Sequence, residues 1–227
     1  MKQVDDYMED GIDCGCVLHG EYYTLDYAKK LEAGLRRNFS CPIRFHIWTE
    51  KAREVPKHWH KHSLKDLGVK GPKKSWWYKT QIFRNKDFQG RLFYFDLDII
   101  ISGNLDWMLR LSSEKFWAVR DFRYLWKKNK WTINSSVMVF DTNKYADLWK
   151  KFKRNHHAIM TQYNGDQDYI DIEVPNDNKR WFDQNFVKSY RWEVMDGGID
   201  FTYRTYPNKG KDRSHIFKDL SIIVFHG

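Results

Sequence analysis

The sequence predicts an α/β protein built on a mainly parallel β-sheet. The chain opens with an apolar strand at 14–18, a segment with helical spacing at 24–38 and an alternating strand at 43–49. Further along, apolar strands at 91–101 and 133–140 are each followed by a segment with helical spacing. Strands that alternate with helices in this way favour a parallel sheet covered by helices.

The predicted helices are marked by caps and by apolar spacing. The helix at 24–38 has Thr24 as a suitable N-cap, and Pro42 stops it before the next strand. Its apolar face is formed by Leu25, Ala28, Leu31 and Leu35. Further helices are predicted at 76–84, at 105–111, at 142–156 and from Asp166, where Gly165 is the expected cap.

The remaining segments complete a single predicted domain. Residues 1–11 are expected to be a loose lead-in, and residues 50–74, rich in Lys, His, Pro and Gly, an irregular loop. Two more strands and one more loop are predicted: strands at 116–119 and 221–225, and a basic, aromatic loop at 120–130. Since no repeat or linker interrupts these elements, we expect one domain over residues 1–227.

Composition limits the classes of function. The chain has 227 residues, of which 41% are hydrophobic and 17% aromatic, and this excludes a disordered protein. Its net charge of +9 favours an anionic partner, either nucleic acid, a membrane surface or a phosphorylated substrate. The acidic N-terminus has no apolar signal segment, and no apolar run approaches the ~18 residues of a membrane span. We therefore expect a cytoplasmic protein without a transmembrane segment.

Cysteine and histidine usage does not predict a zinc site. Cys14, Cys16 and Cys41 form no even framework and are predicted to be reduced, buried thiols. The histidines of the 50–74 segment alternate, at positions 58, 60 and 62. Because no cysteine or carboxylate supports them, a solvated basic loop is favoured over a metal site.

Two carboxylates close the most apolar strand. Asp96 and Asp98 follow Leu-Phe-Tyr-Phe and precede Ile-Ile-Ile. An ionised carboxylate is costly to bury alone, so the pair needs a cation, a positive neighbour or an exposed strand end. A bend after Asp96 would let both side chains converge on one ion. Hard oxygen ligands suit Mg²⁺ or Mn²⁺, which can in turn hold a diphosphate.

Other polar residues also fall at the ends of apolar strands: Tyr22, Tyr23, Asn134 and His226. The ends of parallel strands gather at one edge of an open sheet, where ligands bind. Asp96, Asp98 and His226 would then form a mixed oxygen and nitrogen metal site. An imidazole ligand shifts the preference from Mg²⁺ toward Mn²⁺.

The order of the motifs resembles a known family. Along the chain stand Trp-Trp-Tyr-Lys-Thr-Gln-Ile-Phe, Phe-Tyr-Phe-Asp-Leu-Asp, Ile-Asn-Ser-Ser-Val-Met-Val-Phe, Gly-Asp-Gln-Asp and a terminal Phe-His-Gly. In this order, from Cys14 to Gly227, they resemble glycosyltransferases of the GT-A fold, and most of all family 8, the group of glycogenin and bacterial galactosyltransferases. The resemblance implies a Rossmann-like, three-layer α/β/α fold with a central mixed, mainly parallel sheet.

The resemblance also implies an activity: transfer of a sugar from a nucleotide-sugar donor, UDP-linked by default, to a hydroxyl of a glycan or other acceptor. It implies a divalent metal, commonly Mn²⁺, held by Asp96, Asp98 and His226. Lys79 would contact the donor phosphate or sugar, and Asn134 the donor sugar. Tyr22 or Tyr23 would lie against the nucleobase. The implied residues of the sugar and acceptor pocket are Asp166 and Gln167.

The chemistry leaves the stereochemical outcome open. An inverting enzyme needs a general base near the acceptor hydroxyl, and Asp166 or Asp168 is the candidate. A retaining enzyme can manage without such a base. The family usually continues beyond His-Gly to a Lys-Pro-Trp segment whose lysine helps to hold the diphosphate, and Ser136 stands where a glycine is common. Lys79, Arg84 or a lysine of 70–74 could replace that cation.

Two other classes of function remain open from the sequence. A metal-dependent nuclease or phosphoryl transferase would suit the basic charge and the aromatic content, although no nucleic-acid motif is present and no nucleic-acid partner is expected. A non-catalytic glycan-binding module would stack its tryptophans on sugars without metal or nucleotide. The combination of Asp96, Asp98 and His226 favours the enzyme.

Overall fold

A computed structural model describes residues 4–68, 72–125, 127, 129, 131–194 and 217–225 of the chain. The strands in these ranges are β1 (Ile12–Leu18), β2 (Ile43–Thr49), β3 (His60–Ser63), β4 (Arg91–Phe95), β5 (Ile99–Ile101), β6 (Phe116–Arg120), β7 (Ile133–Asp141), β8 (Lys179–Trp181), β9 (Val187–Ser189) and β10 (Ile222–Val224). They form a seven-stranded sheet of order β3-β2-β1-β4-β7-β6-β8 and a smaller sheet of order β5-β10-β9.

Helices cover both faces of the large sheet. The α-helices of the described ranges are α1 (Val4–Asp10), α2 (Leu25–Asn38), α3 (Ala146–Gln162) and α4 (Asp166–Glu173). Leu31 and Leu35 of α2 belong to the apolar core on one face, while Trp149 and Phe152 of α3 belong to the core on the other. Shorter 3₁₀ helices lie at Pro72–Phe83, Asp106–Arg110, Phe122–Leu125 and Asn176–Asn178, and a π-helix at Tyr190–Val194. The predicted three-layer α/β/α architecture is confirmed.

Strand direction brings several polar residues to one edge. β1, β2, β3 and β4 are parallel, and β7 runs antiparallel to both β4 and β6. The sheet is therefore mixed but mainly parallel, as expected. Because β7 is reversed, its first residues lie beside the last residues of β4 and β6. We call this side of the sheet the carboxyl edge.

The prediction of one continuous strand over 91–101 is wrong. β4 ends at Phe95, which pairs with Val137 of β7, and β5 then pairs antiparallel with β10 in the second sheet. The chain crosses between the two sheets at residues 96–98. Two carboxylates inside a covered strand would be poorly solvated, and the crossing places them at the strand end instead.

Other segments are more ordered than the sequence suggested. The expected lead-in contains α1, whose Tyr7 is buried and accepts a hydrogen bond from Arg91 at 2.8 Å. The helix ends at Asp10, and the next residue, Gly11, has a φ of +72°, a conformation that favours glycine. The expected irregular loop at 50–74 contains β3. The helix predicted at 142–156 begins and ends later, as α3.

The three cysteine side chains are free and buried, as predicted. Burial raises the pKa of all three thiols, which makes them poor nucleophiles. Among the helices in the described ranges, none combines the length and the apolar character that crossing a bilayer requires.

Candidate active site

The two aspartates of the Asp-x-Asp motif lie where the chain crosses from one sheet to the other. Asp96 remains tied to the large sheet, because its N–H donates to the carbonyl oxygen of Ser136 at 2.7 Å. Asp98 is tied to the second sheet, because its carbonyl oxygen accepts from the N–H of Phe225 at 2.9 Å. Both side chains are partly exposed, at the carboxyl edge.

Lys79 and Tyr94 hold the Asp96 carboxylate in place. The Tyr94 hydroxyl donates to Oδ1 at 2.6 Å, and the Lys79 ammonium donates to Oδ2 at 2.7 Å. The same ammonium donates to Ser135 Oγ at 3.0 Å and lies 3.4 Å from Oδ2 of Asp166. The three protons of the ammonium thus face three side-chain oxygens, those of Asp96, Ser135 and Asp166.

Charge keeps Lys79 protonated in its buried position. Burial alone would lower the pKa of Lys79, but the carboxylates of Asp166 and Asp96 outweigh this effect and raise the pKa above its usual value. Burial raises the pKa of Asp96, and Lys79 opposes that rise. The Lys79 ammonium therefore stays charged beside these carboxylates.

Asp166 reaches this cluster from the first residue of α4. Gly165 is the N-cap of that helix, as the sequence predicted. Ser135 Oγ donates to Oδ2 of Asp166 at 2.9 Å. Ser135 therefore contacts both Lys79 and Asp166, and it joins the start of β7 to the start of α4.

β7 contains a bulge at the point where Ser135 contacts Lys79 and Asp166. Ala118 of β6 pairs with Met138, but the next residue, Val119, pairs with Asn134, so the register shifts over residues 135–137. Bulges commonly redirect a side chain beside an active site. Within the bulge, the side-chain oxygen of Asn134 accepts from the N–H of Ser136 at 3.1 Å. Asn134 therefore lies at the carboxyl edge and is buried there.

Asp98 adds negative charge to the cluster. Burial, followed by the charge of Asp96, raises the pKa of Asp98 to about 7, while Lys79 acts in the opposite direction. Three carboxyl groups, those of Asp96, Asp98 and Asp166, thus share the field of the Lys79 ammonium. A second cation near Asp98 would favour its ionised form.

A divalent cation fits the chemistry of this cluster. Carboxylate oxygens are hard ligands for Mg²⁺ and Mn²⁺, and a carboxylate offers about four acceptor positions, so the two hydrogen bonds to Asp96 leave room for a metal. In the described ranges, no three or more His, Cys, Asp or Glu side chains surround a common metal position. The third predicted ligand, His226, lies outside those ranges.

The two tyrosines after β1 take different positions. Tyr22 is 79% exposed, whereas Tyr23 is partly buried and packs edge-on against both Tyr22 and Tyr27. Burial raises the pKa of Tyr23, and the charge of Asp98 raises it further. Tyr23 therefore lies close to the Asp-x-Asp motif, and Tyr22 faces outward.

Gln167 and Asp168 lie on the opposite side of the cluster, toward β6. The Gln167 amide donates to Oδ2 of Asp121 at 3.4 Å, and the charge of Asp168 acts on Arg123. Asp121 is buried directly after β6, and it also accepts from the Arg123 side chain. Asp166 therefore lies beside Lys79, whereas Gln167 and Asp168 lie near Asp121 and Arg123.

Sequence reasoning missed three members of this edge: Tyr94, Ser135 and Asp121. Asp121 had a usable signal, since it is a carboxylate that directly follows an apolar strand, as Asp96 does. Ser135 follows Asn134 in the same motif. Tyr94 had no signal, because a tyrosine inside an apolar strand is indistinguishable from a packing residue.

The alternating histidines lie in and beside β3, at the far end of the large sheet. His62 Nε2 is 2.9 Å from Nδ1 of the buried His46, and His46 Nε2 is 2.8 Å from Oδ1 of Asp13. His58 contacts Glu32 at 3.1 Å. The expectation of a solvated loop is therefore wrong for His62, which is partly buried and belongs to this His46–His62–Asp13 cluster.

Comparison with solved structures identifies the fold. The chain is similar to the galactosyltransferase LgtC in complex with donor and acceptor sugar analogs, with a TM-score of 0.62 and 14% identity over 95% of this chain and 87% of that chain. An active-site mutant of LgtC gives a TM-score of 0.61 and 12% identity over 95% of this chain and 88% of that chain. LgtC is a GT-A galactosyltransferase of family 8, and the chain has the GT-A fold.

A second glycosyltransferase shares the fold over less of its length. GlyE of Streptococcus pneumoniae TIGR4 gives a TM-score of 0.56 and 14% identity over 79% of this chain and 48% of that chain. No protein-family model matches the chain, and no curated protein matches its sequence.

Proposed function

We propose that this protein is a metal-dependent glycosyltransferase. It transfers a sugar, by default a hexose, from a nucleotide-sugar donor, by default UDP-linked, to a hydroxyl of a glycan or another acceptor. The observation that carries the proposal is the gathering of Asp96, Asp98, Lys79 and Asp166 at the carboxyl edge of a GT-A sheet. The complex of LgtC with donor and acceptor sugar analogs supports it by analogy of fold.

The reaction needs a group at this edge that stabilises the negative charge of the leaving diphosphate. Glycosyl transfer breaks the bond between the anomeric carbon and a phosphate oxygen, through a transition state of oxocarbenium character, and the leaving diphosphate gathers negative charge. A divalent cation bound by Asp96 and Asp98, with His226 as the predicted third ligand, would stabilise that charge as a Lewis acid. Lys79 holds Asp96 in place and offsets part of the negative charge of the carboxylates.

The candidate bases differ in their surroundings. One oxygen of Asp166, Oδ2, is engaged by Ser135 and lies near Lys79, so its ionised form has two polar partners. Asp168 instead lies in the field of Arg123, on the β6 side. These contacts fix Asp166 in a position from which it can orient the donor sugar or an acceptor hydroxyl. Asp168 is the alternative base for an inverting reaction.

The order of the strands supports one orientation of the donor in this proposal. Tyr22 and Tyr23 follow β1, which lies on one side of β4, whereas β7 and β6 lie on the other side. A nucleoside against the tyrosines and a diphosphate at Asp96 and Asp98 would leave the sugar pointing toward Asp166. This arrangement leaves the β6 side of the carboxyl edge for the acceptor.

Titration calorimetry with UDP, with and without Mn²⁺, tests the proposal. We expect micromolar-range binding that requires the metal, and a loss of at least about tenfold in affinity, ~1.4 kcal/mol, in Asp98→Ala. Asp147→Ala is the matched control, because the Asp147 side chain is 88% exposed on α3. Its affinity should equal that of the wild type.

Three outcomes would change the conclusion. Equal UDP binding without metal, or no effect of Asp98→Ala, contradicts the metal–diphosphate site. Binding of GDP in place of UDP keeps the mechanism and changes the donor. Binding of saccharides with no nucleotide binding at all would instead favour the non-catalytic glycan-binding module.

A further inference from the structure

Trp131 forms an exposed aromatic surface that the proposed chemistry does not use. Its side chain is 54% exposed, although most tryptophans of the described structure are more buried. The guanidinium of Arg120 lies over its ring, 3.6 Å from the centroid, and Trp181 packs edge-on at 5.2 Å. We call Trp131, Arg120 and Trp181 the aromatic shelf.

The shelf is preorganised. Arg120 is buried, so its guanidinium holds one face of the Trp131 ring in a defined place by a cation–π contact. Trp181 touches the ring edge-on, and its Nε1–H donates to the carbonyl oxygen of Thr132 at 3.4 Å. Trp131 remains 54% exposed beside these two contacts. A ligand that stacks there pays little conformational entropy to order the ring.

The shelf lies at the carboxyl edge, on the side away from the tyrosines. Arg120 is the last residue of β6 and pairs with Ile133, the first residue of β7. The N–H of Asp121 donates to the carbonyl oxygen of Thr132 at 2.9 Å, which fixes the chain next to Trp131. β6 is two strand positions from β4, a lateral separation of about 10 Å, or roughly one to two sugar rings.

The chemistry of the shelf suits a sugar ring. An exposed indole offers a large apolar surface, and the C–H face of a pyranose ring can pack against it. Groups of both charges lie beside it, since Arg120 contacts the Trp131 ring and Asp121 is paired with Arg123. Sugar hydroxyls can donate to a carboxylate and accept from a guanidinium.

We propose that the aromatic shelf is the acceptor subsite and that it stacks a pyranose ring of a glycan acceptor. The proposal rests on the proposed function and makes it more specific. The acceptor is a saccharide, with its reactive hydroxyl toward Asp166 and a sugar ring on Trp131.

The test is binding of wild type and variants to a printed array of neutral di- to tetrasaccharides, with UDP and Mn²⁺ present. We expect Trp131→Ala to lose at least about tenfold in affinity for the glycans that the wild type binds, which corresponds to ~1.4 kcal/mol. Trp131→Phe keeps an aromatic face and should stay within about threefold of the wild type. Met8→Ala, an exposed apolar side chain on α1, is the control and should bind like the wild type.

UDP titration of the same proteins separates the two proposals. If Trp131→Ala binds glycans as the wild type does, or if the wild type binds UDP but no glycan of the array, the shelf proposal is overturned. If glycans bind through Trp131 while UDP does not bind at all, the donor site fails and the shelf stands. Urea denaturation of Trp131→Ala and Trp131→Phe shows whether a loss comes from unfolding, and Trp131→Phe supplies a folded aromatic reference.

Discussion

The ammonium of Lys79 lies 2.7 Å from Oδ2 of Asp96 and 3.4 Å from Oδ2 of Asp166. One buried cation thus joins the end of β4 to the start of α4. The family resemblance implies that Lys79 contacts the donor, and in the described structure Lys79 also contacts Asp96, Ser135 and Asp166. Removal of a lysine that positions buried carboxylates should destabilise the fold. Removal of a lysine that only binds phosphate should not.

Replacing Lys79 with methionine should strongly destabilise the protein. The change leaves Asp96 and Asp166 partly or fully buried without their shared positive partner, and breaking a buried ion pair costs about 3–5 kcal/mol. Lys79→Arg keeps the charge and should lose less. The free energy of unfolding in urea at pH 7 measures both.

Lys150→Met is the control, because Lys150 forms an exposed pair with Asp147, and such pairs contribute at most about 1 kcal/mol. If Lys79→Met unfolds at the same urea concentration as the wild type but loses UDP affinity, the positioning role is wrong. The phosphate contact implied by the family would then be the better account.

Gly103→Ala should disturb the second sheet. A Cβ at this position would lie 2.6 Å from the carbonyl oxygen of Leu220, which is backbone and cannot rotate away. Such overpacking costs about 1–3 kcal/mol. Since the pairing of β5 with β10 also brings Phe225 to Asp98, we expect a lower melting temperature together with weaker metal-dependent UDP binding.

Ser102→Ala is the matched control for Gly103→Ala. It removes a hydroxyl that donates to the same Leu220 carbonyl at 3.2 Å but adds no atom. Its cost should be about 1 kcal/mol. A Gly103→Ala variant that is destabilised and still binds UDP with wild-type affinity would show that the second sheet does not position Asp98.

Stability should fall with acid through His62. Burial and the neighbouring His46 lower the pKa of His62 to about 4, against ~6.5 in an unfolded chain. Below pH ~6.5 the unfolded state takes up a proton at this residue that the folded state does not, so the contribution is complete above pH ~6.5 and is lost as the pH falls toward ~4. We expect a loss of about 1–2 kcal/mol after allowance for solvent screening.

Urea midpoints at pH 7.5, 5.5 and 4.5 would measure this slope. His62→Gln should reduce it, whereas His58→Gln should not, since the His58 side chain is 61% exposed. An unchanged slope in His62→Gln would assign the acid sensitivity to other groups.

Much of the core was predictable because its signals are local. The alternation of β2 and the helical spacing of α2 depend only on neighbouring residues, and both elements were placed correctly within a few positions. The cost of burying a carboxylate indicated that Asp96 needs a cation, a positive neighbour or an exposed strand end, and the structure provides both Lys79 and a strand end. That cost does not depend on tertiary detail.

The remainder depends on contacts between distant segments. The reversed direction of β7 has no signature in an apolar run, since a buried strand looks the same in either direction. The burial of Lys79 could not be predicted, because it depends on contacts with Asp96 and Asp166, which are distant in sequence. His62 was assigned to a loop because its partner, His46, is 16 residues away in sequence.

The crossing at residues 96–98 has a consequence for the order of folding. Asp98 is anchored by a strand from the end of the described chain, and the nearby Ser102–Leu220 hydrogen bond spans a sequence separation of 118 residues. Contacts of such long range form late, because the entropy of closing a large loop has to be overcome first. During synthesis, β1, β2 and β4 can assemble while Asp98 still lacks its anchor, so the nascent chain would gain its main sheet before it gains a complete carboxylate pair.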